Sequence, residues 1–219
     1  MASRLLAAAI DLIESTGGCR GVNLRQIAST AGCAHTNAYN YFDSLEALFW
    51  AVLEETLERQ FTLTAQRLQR PAAKRAPLRA FLQTQIAFAR AHPALYRLFW
   101  MEPLSGEPPP SVVNRFEEMR TAWVRTIGNH TGDRLDEASL THIGQIAHGY
   151  FHGEISKLIS RHAFLPKPTG DRDRILNNTI ALVELISAGQ QGLAAHRGRP
   201  RASRRTRPGA ARAGKSARA

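Results

Sequence analysis

Thr36, Asn37, Tyr39 and Asn40 crowd hydroxyl and carboxamide groups into one short stretch, and no lysine, arginine, aspartate or glutamate occurs between Arg25 and Asp43. At the helical repeat Thr36, Tyr39 and Asn40 share a face, with His35 and Asn37 beside it. A neutral surface dense in donors and acceptors is what the edges of base pairs require. The same composition also fits an ordinary solvated helix face, and spacing alone leaves both readings open. A second group is His148 and His152, one helical turn apart, with His142 upstream. Two imidazoles so spaced suit a metal or a polar contact inside an apolar cavity. No third ligand stands nearby in the sequence and Glu154 falls off their face, so the expectation is a polar handle and no metal.

The third group is electrostatic. The 219 residues carry a formal charge of +11, but nine basic residues and no acid follow His196. Without that tail, 20 basic residues face 18 acidic ones, so the charge belongs to the tail and says little about the body. Residues 197–219 contain no large apolar side chain, which predicts a disordered segment. Arg197-Gly198-Arg199-Pro200 resembles the core of an AT-hook, in which an extended Arg-Gly-Arg lies along a narrow minor groove.

Several classes are disfavoured. There is no G-x-S-x-G elbow, no glycine-rich phosphate loop after a strand and no HExxH, so the expectation is a protein that is not an enzyme and needs no cofactor. Cys19 and Cys33 are too few for a disulfide framework or a four-ligand zinc site. No apolar run has the length of a membrane span, and the opening Met-Ala-Ser-Arg lacks the regions of a signal peptide, which leads to an expectation of a cytoplasmic chain with no membrane partner.

These groups need helices to position them. Leu5, Leu6, Ala9, Ile10 and Ile13 form one apolar stripe over residues 3–16, with Ser3 as the expected N-cap and Gly17 as the stop. Asn23 and Gln26 form a capping-box pattern ahead of Leu24, Ile27, Ala28 and Ala31. A second short helix over 34–42 follows the turn at Gly32, with Ala34, Ala38 and Phe42 facing inward. Asp43 and Glu46 repeat the capping signature and open a helix from Ser44 to about Arg70. Further helices are expected at 77–91, 94–101, 111–129, 136–161 and 171–194, and no sustained alternation predicts a strand. The fold class is therefore all-α, with about nine helices.

Residues 23–42 have helix-turn-helix proportions. Leu5-Leu6-Ala7-Ala8-Ala9-Ile10, Val22-Asn23-Leu24-Arg25-Gln26-Ile27-Ala28, Ala31-Gly32-Cys33 and Ala38-Tyr39-Asn40-Tyr41-Phe42-Asp43-Ser44-Leu45-Glu46-Ala47-Leu48 resemble the DNA-binding segment of TetR-family transcriptional regulators. The resemblance implies a helix-turn-helix domain at 1–47, an effector-binding and dimerisation domain at 48–195 and a tail at 196–219. It implies a homodimer on double-stranded DNA, a palindromic operator and release by a small molecule, which makes a repressor the expected role. Arg25, His35, Thr36, Asn37, Tyr39 and Asn40 would meet DNA, with Arg197 and Arg199 of the tail. Leu45 stands where most members carry a lysine. Cys33-Ala34 replaces the usual Val-Ser, which removes a side-chain cap at a cost of ~1 kcal/mol. Residues 1–45 set Arg4, Arg20 and Arg25 against Asp11, Glu14 and Asp43, leaving the module no net charge for phosphates.

Aromatic residues concentrate between 88 and 151, and His92-Pro93-Ala94-Leu95-Tyr96-Arg97-Leu98-Phe99 resembles a segment of the same family's regulatory domains. Phe99, Trp100, Met119, Trp123, His148, Phe151 and His152 are the expected lining of an apolar or aromatic effector site. Gly149 and Gly153 would admit a neighbouring helix. The resemblance also implies that helices 136–161 and 171–194 pair with their copies, through Ile180, Leu182, Val183, Leu185 and Ile186. The rival reading is a helical ligand-binding protein without DNA function.

Overall fold

Leu5, Ala9 and Ile13 recur at four-residue spacing and are all fully buried, and the first helix forms because that stripe has somewhere to go. The computed structural model describes residues 1–132, 135–160 and 171–197, with side chains in the last helix described for 172–191. Its described residues form ten helices and no strand: α1 Ala2–Thr16, α2 Leu24–Thr30, α3 His35–Ala38, α4 Leu45–Leu68, α5 Pro71–Arg75, α6 Pro77–Ala91, α7 Pro93–Trp100, α8 Pro110–Thr131, α9 Glu137–Ile159 and α10 Asp171–Arg197. The tenth helix is α5, where Pro71 begins a new turn as readily as it ends α4. No described helix is long and apolar enough to cross a membrane. Residues 161–170 and the residues after Arg197, including Arg199, lie outside the described residues, as does the side chain of Arg197.

Local signals place α1 to α4. Gly17 closes α1 at φ 85°, a left-handed position where a Cβ is costly, and its N–H returns to the Ile13 carbonyl at 2.9 Å. The expected cap at Ser3 is absent because α1 already starts at Ala2, with Met1 as its N-cap. Asn23 and Gln26 do form the reciprocal capping box, at 3.0 and 3.1 Å. For α4 the cap is Ser44, one residue after the expected Asp43; its hydroxyl accepts from the Ala47 N–H at 3.0 Å.

The second helix of the motif is shorter than the pattern predicts. Only His35–Ala38 is α-helical, with Ala34 as an N-cap that offers no side-chain acceptor. Beyond it the turns tighten: the Asn40 N–H reaches the Asn37 carbonyl at 3.2 Å, and the Tyr41 and Phe42 N–H groups share the Ala38 carbonyl. Ala38 is buried and Phe42 half-buried, but Ala34 is exposed, so the expected inward ladder has two members.

The later helices pack around α6, which touches α4, α7, α8, α9 and α10. Between α9 and α10, buried Glu154 takes hydrogen bonds from Lys157 and from Arg174. Burial alone would raise its carboxyl, but those two hydrogen bonds and charges outweigh it and hold it below the usual carboxylate range. Val183 is fully buried and belongs to this protomer's own core, whereas Leu185 is 72% exposed. The expected apolar outer stripe of the last helix is therefore narrower than predicted, because i, i+3 spacing from Ile180 turns Val183 inward.

Candidate nucleic-acid interface and effector cavity

The tight connection between α2 and α3 depends on Gly32, at φ 67°, where an added Cβ would also lie 2.9 Å from an Arg4 side-chain nitrogen. That turn fixes α3 across α2 and leaves one surface free. Arg25, Thr36, Tyr39 and Asn40 are exposed, and His35 and Asn37 are half-exposed beside them. The Asn40 side-chain amide Nδ2 donates to the Asn37 side-chain Oδ1 at 2.9 Å, and the His35 and Tyr39 rings meet edge to face at 5.3 Å. The six expected residues are thus all exposed or half-exposed, and four of them contact one another in pairs. Tyr41, next to Asn40 in the chain and not among them, is also 45% exposed.

A cavity of about 810 Å³ opens among α6, α7, α8 and α9. Trp100, Met119, Trp123, His148 and Phe151 line it as expected, together with Phe81, Tyr96 and Phe116, which the spacing of the rings did not assign to the lining. Two expected residues do not reach it. Phe99 lies behind the wall, stacked on Phe116 at 4.7 Å, and His152 is turned to the Tyr96 hydroxyl, with which its Nδ1 shares a hydrogen bond of 2.9 Å. Both misassignments come from helix geometry, since a helix that lines a cavity shows it only one of its faces.

Burial raises the Tyr96 hydroxyl far above its ordinary pKa. Burial, with the neighbouring His152 adding to it, lowers His148, and burial lowers His152. Their rings lie nearly parallel with centroids 5.8 Å apart, and both contact Trp100. Among the described residues no group of three or more His, Cys, Asp or Glu is placed to hold a metal. Gly149 and Gly153 face open space, so neither brings a helix close within the protomer. Gly144 does, because Trp123 Nε1 donates to its carbonyl at 3.0 Å and sits 3.2 Å from where a Cβ would be.

The two sites are joined by α7 and its flanks. Its residues Tyr96 and Trp100 line the cavity. His92, just before it, bonds Glu14 of α1 at 2.6 Å. Arg97 donates to the carbonyls of Gly17 and Ile159, and Glu102 accepts from the Cys19 N–H at 3.0 Å. Gly18 has no room for a side chain here, since a Cβ would fall 2.6 Å from a Glu102 oxygen. Burial, then the Glu102 charge and hydrogen bond, push the Cys19 thiol up to about 12, which disfavours the thiolate at neutral pH.

The described residues place an N-terminal helix-turn-helix ahead of longer helices that enclose a cavity. Residues 78–183 match the family model of the tetracyclin repressor-like C-terminal domain. A stretch of 104 residues is 36% identical to the HTH-type transcriptional regulator RutR of Escherichia coli (strain K12), covering 48% of each chain. The chain therefore matches about half the length of that curated relative. A tetR-family regulator from Streptomyces coelicolor shares the fold at TM-score 0.65 and 16% identity, over 90% of each chain. A Rhodococcus sp. RHA1 protein of unknown function does so at TM-score 0.68 and 22% identity, over 86% of this chain and 94% of that one. The ketosteroid transcriptional regulator KstR2 of Mycobacterium tuberculosis does so at TM-score 0.57 and 16% identity, over 84% and 93%. Over residues 78–183 the chain is thus similar to the tetracyclin repressor-like C-terminal domain, and its fold is similar to that of a tetR-family regulator.

Proposed function

We propose that this protein is a homodimeric, DNA-binding repressor that a small apolar or aromatic effector releases from a palindromic operator. Residues 1–47 act as the DNA-binding domain and residues 48–195 as the effector and dimerisation domain. Thr36, Asn37, Tyr39 and Asn40 read base edges, and Arg25 and His35 hold the backbone. The observation that carries this reading is the double duty of α7. One side forms cavity wall through Tyr96 and Trp100, while His92, Arg97 and Glu102 grip the end of α1. A ligand that moves α7 moves the DNA-binding helices with it, which is the coupling a regulator needs. The exposed Leu185 of α10, with Gly149 and Gly153 of α9, supports a second copy docking on that side. Arg197, Arg199 and the rest of the basic tail supply the phosphate charge that residues 1–45 lack.

The test is selection of a duplex from a random pool, followed by mobility shifts. Replacing Tyr39 and Asn40 together by alanine is expected to abolish specific binding with helical content unchanged. Deleting residues 198–219 is expected to preserve sequence preference while flattening the salt dependence, at ~0.9 log units of K per log unit of salt for each phosphate that the tail neutralises. A full-length protein that selects no sequence and shows no salt-dependent binding would leave a ligand-binding protein without DNA function.

A further inference from the structure

The cavity sorts its polar groups in a way that defines the ligand. Among the residues lining it, only Glu117 and Arg120 carry full charges. Both are on the exposed side of α8, and Arg120 Nε donates to the Glu117 carboxylate at 2.9 Å. A shallower depression shares Arg120, Thr141 and Gln145 with the cavity and adds Glu137 and His142, so the charges stand at its mouth. The interior has none.

Its inner polar groups are mostly committed already. The Gln85 carboxamide accepts from Gln60 and donates to Thr64 Oγ1 at 3.2 Å. The Tyr96 hydroxyl is engaged by His152. His148 differs from both. It lines the cavity, packs against Trp100 at 4.7 Å and against His152 at 5.8 Å, and makes no hydrogen bond among the described residues. A neutral imidazole held in place with free donor and acceptor nitrogens is a recognition group without a partner. The surrounding surface is flat and aromatic, including the Phe81–Trp123 pair at 5.1 Å and the Trp100–Phe116 pair at 6.1 Å.

We infer that the effector is an uncharged, planar fused-ring compound with one hydrogen-bonding head group, such as a phenolic hydroxyl, and that His148 is the residue that reads that group. This rests on the reading of the cavity as the effector site. The volume of about 810 Å³ accommodates three or more fused rings. A carboxylate or ammonium would leave water for an interior with no counter-charge, since Arg120 and Glu117 are paired with each other. The burial that lowers His148 also keeps it neutral near pH 7, so it stands ready as donor or acceptor rather than as a cation.

The experiment compares four matched probes by titration calorimetry on the full-length protein at pH 7.5: 9-phenanthrol, phenanthrene, phenanthrene-9-carboxylate and 9-phenanthrylmethylammonium. Phenanthrol is expected to bind about tenfold more tightly than phenanthrene, as one buried hydrogen bond provides, and tighter still relative to both ions. His148→Phe, which keeps the contact with Trp100, is expected to erase the phenanthrol advantage and leave phenanthrene binding unchanged. His148→Gln, which retains a donor and an acceptor, is expected to keep most of it. Either ion binding as tightly as phenanthrol would overturn the proposal while the effector-site reading stands. An advantage that survives His148→Phe would overturn the role of His148. Binding by none of the four would overturn the effector-site reading together with the proposal, whatever the mobility shifts show.

Discussion

Ala8, Ala9, Ala28, Ala31 and Ala38 are buried among α1, α2 and α3, with Ile13 and Ile27 filling what they leave. Around α6 to α9 the buried residues include Phe81, Tyr96, Trp123 and Phe151, which border open volume. Small side chains let short helices meet without voids, and α3 is then left with its polar groups outside. Large rings on α6, α7, α8 and α9 do not all interdigitate, and a space persists between them. An unfilled apolar space forfeits dispersion contacts, so this second region has stability in reserve that an occupant can supply. The first region is built to present a surface. The second is left with apolar space inside.

Three sets of substitutions test that contrast, beginning with the largest effect. Where the cavity-bearing region is filled, it should be as intolerant as any core. Val183→Glu places an unpaired charge at a fully buried position and is expected to destabilise the fold by more than about 4 kcal/mol. Leu185→Glu, two residues on and largely exposed, is expected to leave unfolding within about 0.5 kcal/mol and to convert a dimer into a monomer. Urea unfolding and light scattering read the two effects separately; a dimer that survives Leu185→Glu places the interface on another face.

The middle-sized effect sets a filled site against an open one. Ile27→Ala is expected to cost about 2–5 kcal/mol, because a fully buried side chain leaves a void among α1, α2 and α3. Met119→Ala, which only enlarges existing space, is expected to cost about 1 kcal/mol. Equal losses in urea unfolding would mean that the cavity is closed in solution, and the contrast between the regions would fail.

The smallest effect concerns α3 alone. Ala34→Ser restores a side-chain acceptor at a helix start that now has none, and is expected to stabilise by about 1 kcal/mol. In a chain of this size that corresponds to a rise of roughly 2–4 °C in Tm, measurable by circular dichroism. An unchanged Tm would show that the tight turns beyond Ala38, rather than its N-terminus, limit this helix.

Legibility differs between the regions for the same reason that their packing does. The outward face of α3 could be read at helical spacing because exposure of polar groups needs no distant partner; Arg25, Thr36, Tyr39 and Asn40 are all exposed as expected. The cavity was readable only as a concentration of rings. Whether a given ring lines the space or stands behind it depends on how α6, α7, α8 and α9 rotate against one another. Phe99 and His152 were misplaced and Phe81 and Phe116 passed over on that account. Val183 shows the same limit, since adjacent apolar positions on α10 leave its inward face undecided until α9 is packed against it.

What the sequence determined by itself is local. The capping box at Asn23 and Gln26, the stop at Gly17 and the turn at Gly32 each follow from bonds or backbone freedom within a few residues. The uneven charge, neutral over residues 1–45 and strongly positive after His196, is likewise a matter of counting. Only the tertiary structure decided the contacts that join the two regions. Glu14 meets His92, Gly17 meets Arg97 and Cys19 meets Glu102 across more than seventy positions of chain. Nothing in short-range spacing marks such pairs. They exist because α7 packs against α1 with one side while Tyr96 and Trp100 close the cavity with the other.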